Sequence, residues 1–172
     1  MPIKLLLLSI ALFSAGANAN INCSALKGKV YDSIITKVAD GDTATVKINK
    51  LSKNVDVRFF GVDTPESEWK GKWPAQHFSK EAKNFTVNSL RNKKVKVKFD
   101  GNGTYGRCVG EIFVNNKSHS LALIEGGYAW WYSSYSKGRM DFKSAQSKAK
   151  KSKRGLWAKK NPISPWNYRK QF

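Results

Sequence analysis

Three short runs, 29–38, 43–48 and 55–60, are rich in Val, Ile, Thr and Phe and partly alternate apolar with polar residues. A period of two sends successive side chains to opposite faces, so each run reads as a strand with one side turned to a core. The breaks between them carry turn chemistry. Ala39-Asp40-Gly41-Asp42 forms the first and Asn49 to Asn54 the second, with Gly and Asx residues that favour chain reversal. Lys50 and Lys53 make the second break a basic hairpin tip.

Beyond these strands the period changes. Ala82, Phe85 and Leu90 have helical spacing, and Ser79 is placed to cap, which predicts an amphipathic helix over 79–90. A strand is expected at 95–99, a Gly-rich turn over 101–106 and another strand at 107–114. Ser118 or Ser120 can start a short helix that Gly126-Gly127 would end. A last helix, about 139–153, sets Phe142, Ala145 and Ala149 opposite a lysine face, which reads as solvated. Gly155 would stop it, and Leu156 and Trp157 would fold back onto the core. The expected fold is α+β, mainly β: a five-stranded OB-fold barrel with about three helices, an architecture whose open face commonly binds nucleic acid.

The N-terminus has one early cation, Lys4, an apolar run from Leu5 to Phe13 and the small-x-small ending Ala17-Asn18-Ala19. That is signal-peptide layout, with cleavage expected after Ala19. The apolar run is shorter than the roughly 20 residues that cross a bilayer, and Ile21 and Asn22 before Cys23 do not suit lipoprotein processing. The expected organisation is a signal peptide over 1–19 and one domain over 20–172, secreted or periplasmic, monomeric and without stable membrane insertion. The formal charge of +19 attracts polyanions with strong salt dependence, but charge alone does not name the partner. Cys23 and Cys108 are an even pair in an oxidising compartment and are expected to be bridged.

Against this basic background, Asp40, Asp42, Asp63 and Glu66 concentrate acid groups near Gly41, Gly61 and Pro65. Hard oxygen ligands without His or Cys select Ca²⁺ or Mg²⁺. His77 and His119 are isolated and read as structural or surface residues. Asp-Gly-Asp alone is a frequent hairpin turn and Asp-Thr-Pro-Glu a frequent loop or helix start. Their combination with Arg58 and Arg107 is harder to explain that way.

The ordered set Asp40-Gly41-Asp42-Thr43, Arg58, Val62-Asp63-Thr64-Pro65-Glu66, Tyr105-Gly106-Arg107, an aromatic segment and Gly155-Leu156-Trp157 resembles the staphylococcal nuclease family over nearly the whole mature length. The resemblance implies an OB-fold enzyme that uses Ca²⁺ to hydrolyse DNA and RNA and leaves 3′-phosphate ends. It implies that Asp42, Asp63 and the Thr64 carbonyl hold the metal, with Asp40 just outside. Glu66 would face the attacking water, and Arg58 and Arg107 would grip the scissile phosphate. Tyr105 resembles the family's nucleotide-contacting tyrosine. Tyr132 and Tyr135 either wall a base pocket or pack with Trp130 and Trp131 against the barrel. The chain departs from the family pattern at Thr104, where lysine is frequent, and at Ser133, where tyrosine is frequent.

Physical chemistry is consistent with those roles. A cation and two guanidinium forks neutralise charge that grows on phosphate oxygens, and Glu66 could take or orient the water proton. Arg107 holds its own proton too tightly to be a good donor, so its role is charge stabilisation. Two alternatives remain at this point. One is a non-catalytic OB-fold nucleic-acid-binding module, and the other is a cationic envelope binder, neither of which needs the acid cluster.

Overall fold

The computed structural model describes residues 21–51 and 53–172; the expected leader and its cleavage point lie outside the described residues. Strand β1 (Val30–Val38) turns through Asp40-Gly41 into β2 (Thr43–Ile48), and β3 (Lys53–Phe59) follows a short 3-10 turn at Asn49–Leu51. The two-residue β4 (Val62–Asp63) precedes a long loop and helix α1 (Ser79–Leu90). Strands β5 (Lys94–Thr104), β6 (Arg107–Val114) and the short β7 (Lys117–Ser118) come next, followed by α2 (His119–Glu125) and β8 (Trp130–Trp131). The chain ends with α3 (Ser133–Ser136), α4 (Met140–Lys151) and α5 (Pro165–Arg169).

Alternation decides which way each strand faces. Ala44, Val46 and Ile48 of β2 and Val55, Val57 and Phe59 of β3 are buried, while Lys47 and Asp56 are exposed. Antiparallel ladders run in the order β3-β2-β1-β5-β6, and a parallel pairing of β3 with β6 closes them into a five-stranded barrel. Among the described residues, closure leaves no long unpaired edge. The mainly β, OB-type expectation is met, with α1, α2 and α4 as the substantial helices. Inside, Ile35, Val57, Phe59, Phe99 and Ile112 pack with Leu90 of α1, Leu123 of α2 and Phe142 of α4.

Several local expectations change. Ser79 does not cap α1: it is the buried first helical residue, and Phe78 before it is left-handed with φ 73° and makes no side-chain cap. The entry is set instead by a backbone turn, with Ser79 N donating to the Gln76 carbonyl at 3.1 Å, and by the stacking of Phe78 on Tyr128. Ser118, rather than Ser120, caps α2, accepting from Leu121 N at 3.2 Å. The Gly-rich stretch is mostly strand: β5 continues to Thr104, and only Tyr105 and Gly106 make the turn, both at positive φ (48° and 75°). Two positive-φ residues are what a tight type I′ hairpin requires, and that twist matches the flanking strands.

Leu156 and Trp157 do fold back, but onto Ala149 with Phe78 and Trp130 alongside, forming a separate small cluster. Gly127 and Gly155, at φ 72° and 53°, allow this fold-back. The two segments approach so closely that a Cβ on Gly127 would overlap the Arg154 carbonyl and one on Gly155 the Gly127 carbonyl, and Leu156 N donates to the Gly127 carbonyl at 2.9 Å. Cys23 and Cys108 are bridged, which joins the turn before β1 to β6. No helix among the described residues is long and apolar enough to cross a membrane.

Candidate active site

Barrel register assembles the wall that carries the charged residues. Thr43 lies opposite Arg58 across β2 and β3, and Arg58 lies opposite Val109 across β3 and β6. Opposed residues share a face, as do residues two apart on one strand. Ala44, Val57 and Cys108 point inward, so Thr43, Arg58, Val109 and Arg107 stand together on the outside. Arg107 Nη1 donates to Thr43 Oγ1 at 3.1 Å.

Asp42 is seated just before β2 and is only 2% exposed. One oxygen accepts from Thr64 N at 2.7 Å and Thr64 Oγ1 at 2.9 Å, and the other pairs with Arg58 Nη1. Gly41 makes that seat possible, because a Cβ there would lie 2.7 Å from Thr64 Oγ1. Asp63 ends β4 at 1% exposure and takes the other amino group of Arg58, which also donates to the Val62 carbonyl at 3.3 Å. One guanidinium therefore spans two buried carboxylates. Asp40 stands beside this pair, accepting from Asp42 N at 3.1 Å; burial raises its pKa and the Arg58 charge opposes that. Burial, then the like charge of Arg58, lowers the pKa of Arg107 from its ordinary value.

Glu66 lies on the loop before α1. Its main chain is clamped by the buried Gln76, whose Oε1 accepts from Glu66 N at 3.0 Å and whose N donates to the Glu66 carbonyl at 2.8 Å. Burial raises the Glu66 carboxyl above its usual range, opposed by a hydrogen bond from Arg169 and by that residue's charge. Arg169 Nη1 pairs with Glu66 Oε1, and its Nη2 reaches Asp63 Oδ2 at 3.0 Å. The structure thus brings Asp42, Asp63, Thr64, Arg58 and Glu66 together, with Asp40 and Arg107 at the margin.

The three tyrosines are differently placed. Tyr105 is 94% exposed at the β5–β6 tip, two residues from Arg107. Strand β8 pairs with β4, setting Trp130 opposite Asp63, which lays the following aromatic segment beside the acids. Tyr132 and Tyr135 lie 5.1 Å apart, and Tyr132 stacks on Trp166 at 5.2 Å. Their aromatic neighbours are thus each other and the C-terminal Trp166, on the surface, not the barrel interior. Gln76 and Arg169 are absent from the sequence reading. Arg169 is 103 residues from Glu66, and no local spacing signals a contact over that distance.

Two carboxylates within the span of one guanidinium offer hard oxygens where positive charge is already required, which suits a hard divalent cation. Among the described residues no group of three or more His, Cys, Asp and Glu converges on a metal position. Fold and site together define a small OB barrel whose outer wall mixes paired acids with arginine forks suited to phosphate. Residues 56–159 match the family model described as "Staphylococcal nuclease homologue". The chain belongs to that family. It is similar to an uncharacterized endonuclease of Haemophilus influenzae, 30% identical over 98% of this chain and 86% of the relative. It is also similar to the thermonuclease of Staphylococcus intermedius, 32% identical over 77% of this chain and 78% of the relative. A staphylococcal-like nuclease of Arabidopsis thaliana is 36% identical over 70% of this chain, which spans only 35% of that longer protein.

Proposed function

We propose that the chain is an exported, monomeric, Ca²⁺-dependent and sugar-non-specific nuclease that hydrolyses DNA and RNA phosphodiesters to leave 3′-phosphate ends. The observation that carries this reading is Arg58 spanning Asp42 and Asp63 on the wall that also carries Arg107. The names of the Haemophilus and Staphylococcus relatives point the same way.

Asp42, Asp63 and the Thr64 carbonyl would hold Ca²⁺, with Asp40 supporting the turn behind them. The ion would supply positive charge against a phosphate oxygen and so favour attack on an anionic ester. With the ion in place of its guanidinium at Asp42 and Asp63, Arg58 would turn its planar N–H fork to the scissile phosphate beside Arg107, which a lysine cannot imitate. Glu66 orients a water through its second oxygen and takes up the water's proton, a contribution of about 10²- to 10⁴-fold. The water oxygen bonds to phosphorus, the bond from phosphorus to the 5′-oxygen breaks, and that oxygen takes a proton from solvent. Tyr105, Tyr132 and Tyr135 stack on bases without reading them, which suits a sequence-tolerant enzyme.

The test is incubation of purified protein with plasmid and with RNA, in Ca²⁺ or in chelator, followed by end-group analysis. Ca²⁺-stimulated cleavage of both polymers with 3′-phosphate ends is expected. Binding without cleavage by a folded preparation would leave a non-catalytic OB-fold module in its place.

A further inference from the structure

Arg169, at the end of α5, is the third guanidinium of the site. Its two amino groups bridge Glu66 and Asp63, and its side chain is about one-third exposed. The segment that delivers it is docked independently of that contact. Gln76 Nε2 donates to the Ile163 carbonyl at 2.7 Å, and Tyr168 Oη donates to the Pro74 carbonyl at 3.1 Å. Trp166 packs on Tyr132 and Trp130, and Pro165, buried at the first turn, starts the short helix. Gln76 is central: one buried amide grips the Glu66 main chain on one side and the C-terminal segment on the other.

We propose that Arg169 is a positioning residue for hydrolysis and acts through Glu66; this rests on the role given to Glu66 above. Two carboxylates side by side repel each other, and a half-buried Glu on a loop would rotate away from Asp63 toward water. The Arg169 fork holds Oε1 of Glu66 toward Asp63 and leaves Oε2 to meet the attacking water. A planar fork with two donors in fixed geometry suits this better than an ammonium group. The C-terminal segment is then a working wall of the site, supplied from outside the barrel.

A double-substitution cycle tests this, using Arg169→Gln, Arg169→Lys, Glu66→Gln and the double variant Glu66→Gln/Arg169→Gln in the full chain. Cleavage of a short labelled oligonucleotide is measured at saturating Ca²⁺. Arg169→Gln is expected to lower kcat about 10- to 100-fold, the range for partners that orient reactive groups, with KM changed less than about twofold. Arg169→Lys should recover part of the loss, and in the Glu66→Gln background Arg169→Gln should cost nothing further. Near-ultraviolet circular dichroism, sensitive to Trp166 against Tyr132, reports that the segment stays docked; if Arg169→Gln does not fold, Arg169→Lys carries the same comparison. Equal or higher kcat in the Arg169 variants, or losses that multiply with Glu66→Gln, would overturn the proposal. Full activity of Glu66→Gln alone would instead remove the role of Glu66 on which it rests.

Discussion

Arg58 is the residue that joins the two acids. Lysine at 58 keeps the charge but reaches only one carboxylate at a time; Asp63 keeps Arg169 at 3.0 Å, whereas Asp42, paired with Arg58, loses its ion pair when the ammonium turns to Asp63. Breaking a buried pair costs about 3 to 5 kcal/mol. A cation seated between the acids would replace the missing charge. Arg58→Lys is therefore expected to lower the urea midpoint strongly in chelator and much less in millimolar Ca²⁺, while cleavage falls about 10²- to 10³-fold. The same loss of midpoint in both buffers would count against a cation at these carboxylates. At this scale much of the cluster was legible: Asp40, Asp42, Asp63, Glu66, Arg58 and Arg107 stand out as acids and forks at strand ends in a basic chain. Gln76 and Arg169 were not, because a loop amide and a terminal arginine have no meaning until the fold sets them against Glu66.

Two helices brace the Asp-Gly-Asp turn from behind. Thr86 of α1 donates its hydroxyl hydrogen to the Gly41 carbonyl at 2.7 Å and lies 3.2 Å from His119 Nε2 of α2. With the hydroxyl hydrogen so used, the ring N–H is the donor to Thr86 Oγ1. His119 is buried between the Phe59 edge and the Phe85 face, and burial, then the charge of Lys93, pushes its pKa down to about 4. The unfolded chain takes up this proton near pH 6.5, whereas the folded chain does not until about 4. Stability from this group is therefore full above about pH 6.5 and is lost as pH falls toward 4, by up to about 3 kcal/mol. Urea midpoints between pH 7 and 4.5 should fall less steeply in His119→Gln than in the parent, and parallel curves would refute this account. Long periodic elements such as β2, β3, α1 and α4 were readable because many residues vote for one period. Strands β4 and β8, two residues each, have no period to read, and the Ser79 cap failed because a backbone turn at Gln76 and the stacking of Phe78 on the distant Tyr128 outweighed a side-chain preference.

Across the whole molecule, the Cys23–Cys108 bridge closes a long loop, joining residues 85 apart in sequence, and it ties the turn before β1 to the strand that carries Arg107. The chain-entropy account assigns such a loop about 4 to 5 kcal/mol as an upper figure. Reduction is expected to cost about 2 to 5 kcal/mol, read as a shift of the urea midpoint between oxidised and reduced protein. An unchanged midpoint would show that the reduced, unfolded chain is already constrained. Composition, alternation and turn residues, which are local or additive properties, were enough to determine from sequence a basic, mainly β domain with its acids gathered at strand ends. Tertiary structure alone decided which of those acids share a guanidinium and that the C-terminal segment reaches Glu66, because contacts between distant residues depend on barrel closure and register, which no local period encodes.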